Sequence, residues 1–405
     1  MDHASSHAAW LYLGKESRTK QDNDTLIDWC LRHRVGKLLL HLETGSKQDP
    51  DADKRIDEVI EACSSAGIEV HGMIGTLQHK ATTREQLLVS KKDAYCVDYD
   101  GVSNWEEPLL GRSYVLDPSD PEAVSLIADH CRKLLVKHSG LAGIHLDFIR
   151  YYHYESRLII DTRDAGHWTV IPRSGQSITL ATANGVSATF FVEQANNRYN
   201  DPPVGDRLVL KRSYHYCFCK RCLDRFRLEY DIALPSQFKE TRQQAEWIMT
   251  HHAAAWYAFR ASLITNVVRA IRRTIKSVSE SVQLSAAIWY NSPYGNELRS
   301  EPFRPNSEYE QFGQEWWEWV KEGLVDFICP MNYWLTPDSF GQVIRDQLAK
   351  SDNRVPLYAG LLRSSEFPID DEKYKQYVSI ALDAGATGIS FFSYGGWKSL
   401  NRDGD

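Results

Sequence analysis

The stretch Gly143-Ile-His-Leu-Asp-Phe-Ile-Arg-Tyr151 sets a histidine, an aspartate, an arginine and a tyrosine into an apolar run. Side chains alternate across a strand, so His145 and Asp147 share one face while Ile144, Leu146 and Phe148 share the other. If the apolar set meets an outer layer of helices, His145 and Asp147 face inward. A carboxylate held there near the cationic Arg150 stays ionised and can serve as nucleophile or general base. The alternative is a buried Asp–Arg pair that only ties the strand to the following loop.

Glycoside cleavage needs a second carboxyl group, about 5–5.5 Å away for retention and about 6.5–9.5 Å for inversion. Glu43 is the first choice, because it ends an apolar run where a charge is otherwise unhelpful; the competing reading is a solvated loop glutamate. Glu310, Asp338, Glu366 and Asp164 are further candidates. His145 and His41 also qualify as acid or base, since imidazole titrates near neutrality, against a satisfied structural role for each.

Six aromatic residues end predicted strands: Trp289, Tyr290, Tyr333, Trp334, Tyr394 and Trp397. Flat rings stack on pyranose faces, and amides and charges bond hydroxyls, so this rim suits a sugar site. Asn291 and Asn332 are candidate hydroxyl-binding amides, with loop capping as their alternative. His41, Arg150 and Tyr151 complete the expected substrate-binding set. Core packing explains any single ring. Glu315-Trp-Trp-Glu-Trp319 reads as a helix face against a barrel rather than a sugar platform.

Cys217, Cys219 and Cys222 form C-x-C-x-x-C, whereas the other five cysteines are scattered in apolar segments as small buried hydrophobes. Three soft ligands within six positions suit a structural zinc, but a closed site needs a fourth, for which His215, His153 or a distant cysteine are candidates. A packed or disulfide-linked turn is the competing reading. No organic cofactor is implied.

The elements that must position these groups alternate. Strands are expected at 8–13, 35–42, 68–74, 141–149, 282–289, 325–331, 355–361 and 387–393. Helices are expected at 23–34, 51–66, 121–138, 245–276, 306–322, 337–349 and 370–384. Residues 75–116 carry few helical signals. Residues 152–214 break the rhythm, and Ser177 to Val192 alternates around Asn184-Gly185, a hairpin signal. Eight strand–helix units predict a (β/α)8 TIM barrel over 1–405, with a β-containing insertion after strand 4 at 152–214 and a cysteine-rich turn at 215–230. An open doubly wound sheet is the alternative, but no Gly-rich phosphate loop follows the first strand.

The 405 residues are 42% hydrophobic and 25% charged, which excludes a disordered chain. The net charge of −7 argues against nucleic acid or an anionic membrane as partner, and no apolar run reaches a bilayer span. No signal peptide is visible, so the expectation is a cytoplasmic protein or a secreted one with its leader removed. A homo-oligomer stays open.

The motifs together point to a family. Residues 143–151 resemble the fourth-strand signature of the family-10-like glycosyl hydrolases, a TIM-barrel family formerly catalogued as a domain of unknown function. Leu116-Asp-Pro-Ser-Asp-Pro-Glu122 resembles that family's entry to the preceding helix. Trp256-Tyr-Ala-Phe-Arg260 with Leu284-Ser-Ala-Ala287 resembles its approach to the fifth strand. Asp326-Phe-Ile-Cys-Pro-Met-Asn-Tyr-Trp334 resembles its sixth. The resemblance spans roughly 8–150 and 215–398. It implies a barrel acting on an oligo- or polysaccharide, with Asp147 as the favoured catalytic position and no motif fixing its partner. Relatives include hydrolases of bacterial cell-wall glycan, and barrel sialidases and polygalactosamine hydrolases lie in the wider neighbourhood.

The main expectation is therefore a glycoside hydrolase with Asp147 as principal carboxylate. The alternatives are a carbohydrate-binding barrel without catalysis, an exo-acting sialidase-like or amino-sugar hydrolase using a His/Asp pair, and a metal-dependent hydrolase built on the cysteines. The last is disfavoured, because catalytic zinc keeps an open position.

Overall fold

The computed structural model describes residues 6–14, 18–42, 51–81, 87–108, 113–152, 155–161, 169–172, 177–181, 187–192, 207–290, 308–365 and 367–398; between 153 and 213 it describes strand backbone only. The expected positions Glu43, His153, Asp164, Asn184, Gly185, Asn291 and Glu366 lie outside these residues.

In chain order the strands are β1 (His7–Leu11), β2 (Val35–His41), β3 (Glu69–Gly75), β4 (Gln78–Lys80), β5 (Ser113–Val115), β6 (Gly143–Asp147), β7 (Glu155–Asp161), β8 (Thr169–Pro172), β9 (Ser177–Ala181), β10 (Ser187–Val192), β11 (Arg207–Ser213), β12 (Gln283–Ile288), β13 (Phe327–Pro330), β14 (Tyr358–Leu362) and β15 (Gly388–Phe392). The helices are α1 (Lys20–Arg32), α2 (Ala52–Ser65), α3 (Pro121–Lys137), α4 (Lys220–Glu229), α5 (Thr241–His251), α6 (Ala253–Lys276), α7 (Glu308–Phe312), α8 (Trp316–Lys321), α9 (Pro337–Lys350), α10 (Asp371–Asp383) and α11 (Tyr394–Trp397).

The chain divides into two compact units. The first comprises residues 1–76, 124–150 and 261–405. It holds eight parallel strands in the order β13-β12-β6-β3-β2-β1-β15-β14. A parallel bridge between Ile328 and Leu357 joins the two end strands, so the barrel is nearly closed. All eight strands fall on the expected segments. They form there because each is a short apolar, β-branched or leucine-rich run bounded by turn residues. Outward residues such as Leu38, Leu40, Ile144 and Leu146 are fully buried.

Inside the barrel, Ala8, Trp10, Leu39, Met73, Ala287, Phe327, Cys329 and Tyr358 form one apolar cluster. Trp10 Nε1 donates to Ser390 Oγ at 2.9 Å. At the N-terminal end of the strands, Asp326 accepts the Leu284 backbone N–H at 2.7 Å and pairs with Arg272 of α6. The motif aspartate before β13 therefore anchors a helix to the barrel.

Helix starts follow cap chemistry. Thr19 and Asp22 make a reciprocal capping box, which begins α1 at Lys20, three residues before the expected start at Asn23. Thr336 caps α9 with Pro337 in its first turn, and Asp370 caps α10.

The second unit comprises residues 77–123 and 151–260. It holds the antiparallel pair β4-β5 and a five-stranded antiparallel sheet in the order β7-β11-β10-β9-β8. β9 and β10 pair antiparallel. The expected cysteine-rich turn at 215–230 is mostly the helix α4, capped by Cys219. The single helix expected over 245–276 is two, α5 and α6, parted at His252, and the helix expected over 306–322 is α7 and α8.

Candidate active site

The C-terminal ends of the barrel strands bring together Tyr12, His41, Asp147, Trp289 and Tyr333. Asp147 is the last residue of β6, opposite Gly75 of β3. Its backbone carbonyl accepts the Thr76 N–H at 2.8 Å, and its Oδ1 accepts the Phe148 N–H at 2.8 Å. The carboxylate is 8% exposed. Two phenols, those of Tyr12 and Tyr333, feel its charge. Burial, and then the Asp147 charge, pushes the Tyr12 phenol up. Burial does the same for Tyr333, with Tyr12 and Asp147 adding to it. Among the described residues the Tyr333 hydroxyl, which is buried, has no hydrogen-bond partner.

The neighbours of this group fix its geometry. The Tyr12 ring lies 5.2 Å from that of His41 and 6.3 Å from that of Phe392, and Phe392 lies 5.4 Å from Tyr333. Gly360 of β14 leaves room for Tyr333, since a Cβ there would fall 3.0 Å from Tyr333 Cε1 and 2.4 Å from Pro330 O. Tyr290 donates its hydroxyl to the Tyr333 carbonyl at 2.9 Å. Gln314 ties the ends of β6 and β12. It accepts the Trp289 N–H at 2.7 Å and donates to the carbonyls of Ile149 at 3.1 Å and Ala287 at 3.2 Å.

Backbone strain marks the same two positions. Among the described residues, six non-glycine residues have positive φ. Four of them, Arg34, Asp231, Asp352 and Asn353, follow helix ends, where the chain commonly reverses. The other two are Phe148 at φ 49° and Trp334 at φ 61°, immediately after Asp147 and Tyr333. Such a conformation costs a bulky side chain about 1–3 kcal/mol, and strain of this kind gathers at functional sites.

Several expected site residues serve the scaffold instead. His145 is fully buried two positions below the mouth, with Nδ1 2.9 Å from Ser285 Oγ and its ring 5.1 Å from that of Trp10. Burial holds its pKa down to about 3, so it is a neutral core group rather than an acid or base. Asn332 exchanges amide hydrogen bonds with Gln347 of α9 at 2.9 and 2.8 Å, which occupies it as a hydroxyl binder. Tyr290 is buried and committed to the Tyr333 carbonyl. Tyr151 is fully buried under the Arg260 guanidinium at 4.6 Å. Tyr394 packs edge-on against Trp29 at 5.2 Å. Trp397 is buried and donates Nε1 to the Phe392 carbonyl at 3.3 Å.

Arg150 lies in an aromatic box, 5.0 to 5.3 Å from the ring centres of Trp289, Phe312 and Phe148. Trp334 flanks Tyr333, with ring centres 5.7 Å apart. Asp338 is exposed in the first turn of α9, where it suits the helix dipole, and Glu310 lies half-buried on α7. Tyr12, Gln314, Gly360 and Phe392 went unread in the sequence. Gly360 and Phe392 lie inside expected strands, and neither Tyr12 nor Gln314 stands in a motif.

The motif residues Asp117, Trp256 and Arg260 belong to the second unit. Trp256 stacks on Phe218 at 4.6 Å and meets Phe226 edge-on at 4.9 Å. Asp120 caps α3 through the backbone N–H groups of Glu122 and Ala123, at 2.9 and 3.0 Å. The three clustered cysteines are buried beside Asp117. His215, expected as a possible fourth ligand, stands instead among the rings of Tyr99, Phe218 and Tyr257.

Residues 228–377 match the family of glycosyl hydrolase-like 10 proteins, in agreement with the motif resemblance. No curated protein matches the chain in sequence. Its fold is similar to solved β-galactosidases. That from Rahnella sp. R3 is 12% identical, with TM-score 0.53 over 95% of this chain and 50% of the other. That from the Antarctic haloarchaeon Halorubrum lacusprofundi is 10% identical, with TM-score 0.57 over 96% and 52%. That from the psychrophilic Marinomonas ef1 is 10% identical, with TM-score 0.56 over 96% and 54%. The chain thus spans about half the length of these structures, and at this identity the likeness establishes the fold. Among the described residues no helix is long and apolar enough to cross a membrane.

Proposed function

We propose that this protein is a glycoside hydrolase whose principal carboxylate is Asp147. The observation that carries the reading is the paired strain at Phe148 and Trp334, which turns the chain just after Asp147 and just after Tyr333. Such strain persists only where the surroundings over-determine it. Here it holds a carboxylate and an unpartnered phenol at the mouth of a barrel, where enzymes of this architecture keep their active residues. The match to a glycosyl hydrolase-like family supports carbohydrate as the substrate class.

In this mechanism Asp147 attacks the anomeric carbon or takes a proton from the attacking water. The Phe148 N–H on Oδ1 orients the carboxylate. Tyr333 donates its hydroxyl to substrate or to the developing charge. Tyr12, 44% exposed, offers its ring to the sugar. Glu43, two positions beyond the end of β2, is the proposed second carboxyl group. β2 and β6 flank β3, so their ends are about 10 Å apart at ordinary strand spacing.

The test is release of reducing ends from a panel of oligo- and polysaccharides by the wild type and by Glu43→Gln. Cleavage of at least one glycan, lowered a hundredfold or more in the variant, supports the proposal. A wild type that binds glycans and cleaves none supports the carbohydrate-binding alternative instead.

A further inference from the structure

The second unit contains a group of side chains with no part in the proposed chemistry. Asp117, Cys217, Cys219 and Cys222 each offer a ligand atom, and these atoms all lie within 4.8 Å of one another. Cys219 Sγ is 3.0 Å from Asp117 Oδ2, and Cys222 Sγ is 3.4 Å from Asp117 Oδ1. Asp117 is fully buried, and the three cysteines are at most 9% exposed. A tetrahedral zinc with about 2.3 Å bonds to sulfur and about 2.0 Å to oxygen sets its ligand atoms about 3.5–3.8 Å apart.

The surroundings are those of a thiolate metal site. The Val97 N–H points at Cys217 Sγ at 3.4 Å, and the Cys222 N–H at Cys219 Sγ at 3.3 Å, so backbone donors face two of the sulfurs. The carboxylate is oriented by the Ser119 N–H at 2.9 Å, the Ser119 hydroxyl at 2.7 Å and Arg221 Nη1 at 3.0 Å. Such outer partners fix ligands in place. Arg221 also pairs with Asp120 at 2.8 Å, which offsets part of the negative charge. All four cysteines here, Cys96 included, are free thiols.

We propose that Cys217, Cys219, Cys222 and Asp117 hold a structural zinc ion. Binding displaces the three thiol protons to solvent, with no change of oxidation state. Three thiolates and one carboxylate fill the four positions zinc prefers and leave none open, so the ion is structural. It joins segments about 100 residues apart in sequence, at either end of the chain that carries β7 to β11. Closing so long a loop gives the clip its value to the second unit. Among the described residues Cys96, whose thiol donates to the Leu116 carbonyl at 3.3 Å and neighbours Cys217, is a competing fourth ligand.

Metal analysis of the full chain, purified under reducing conditions, tests this. About one zinc per chain is expected in the wild type and in Cys329→Ser. It should be lost in the double variant C219S/C222S and reduced at least tenfold in occupancy in Asp117→Asn, with Cys96→Ser unchanged. A strong chelator should lower the melting temperature of the wild type. Where the double variant does not fold, titration of the wild type with a mercurial should release its zinc as three thiols react. A wild type that carries no zinc and takes up none, or a Cys219–Cys222 disulfide, overturns the proposal. Metal loss in Cys96→Ser but not in Asp117→Asn overturns Asp117 as the fourth ligand.

Discussion

Phe148 donates its backbone N–H to Oδ1 of Asp147 at 2.8 Å from a left-handed conformation, φ 49°. The strand thus ends in a turn that clamps its own last carboxylate. One face of that carboxylate is set by the backbone.

Tyr333→Phe separates function from stability. The hydroxyl has no partner among the described residues, so removing it leaves stability unchanged or slightly raised. If it bonds substrate or the transition state, kcat/KM falls roughly five- to tenfold, about 1 kcal/mol. Thermal melts and kinetics on one hydrolysed glycan check both halves. Unchanged kinetics would remove Tyr333 from the site.

Gln314→Leu tests the clamp between β6 and β12. The substitution deletes three hydrogen bonds and strands two carbonyls and one N–H in a buried place. Urea unfolding should show a loss of roughly 2–4 kcal/mol. A loss under 1 kcal/mol would mean the strand ends hold themselves.

Asn332→Ala addresses the amide pair with Gln347. It should cost about 1–3 kcal/mol of stability while leaving KM within about twofold, because the side chain is spent on α9. A large rise in KM with full stability would restore Asn332 as a sugar ligand.

Stability should also fall in mild acid. Burial holds the pKa of His145 to about 3 and, with Arg34 and His33 adding, that of His7 to about 4, from an ordinary 6.5. Above pH 6.5 both are neutral in either state, and their contribution is complete. Below it the unfolded chain takes up protons that the folded one refuses. Each histidine then costs up to about 1.4 kcal/mol per pH unit, until about pH 4 for His7 and about pH 3 for His145. Unfolding free energies at pH 7.5 and 5.0 check the trend, and His145→Gln should flatten it. A pH-independent stability would contradict the buried neutral imidazoles.

The barrel was legible because its signals are local. Eight apolar runs and their intervening stripes each declare themselves within a few residues, and β2 or β15 needs no partner to be recognised. The break at His252 was hidden because neither glycine nor proline marks it. α4 was hidden because KRCLDRFRLE shows only a thin apolar stripe. Site residues were harder to read, since depth along a strand decides their role. His145 and Asp147 share a face, yet two residues, or about 6.6 Å, separate a core imidazole from a carboxylate at the mouth. Asn332 looked like a rim amide because its partner sits 15 residues away on a helix, and Asp117 looked like part of a helix entry because its sulfur neighbours lie about 100 residues on.

The most direct measurement is the hydrolysis rate of Asp147→Asn against that of the wild type on a glycan the wild type cleaves, at matched melting temperature. The substitution keeps shape and the Phe148 hydrogen bond but removes the charge. A fall of roughly 10²–10⁴-fold is the predicted result. Turnover at the wild-type rate would contradict the assignment of Asp147 as the catalytic carboxylate.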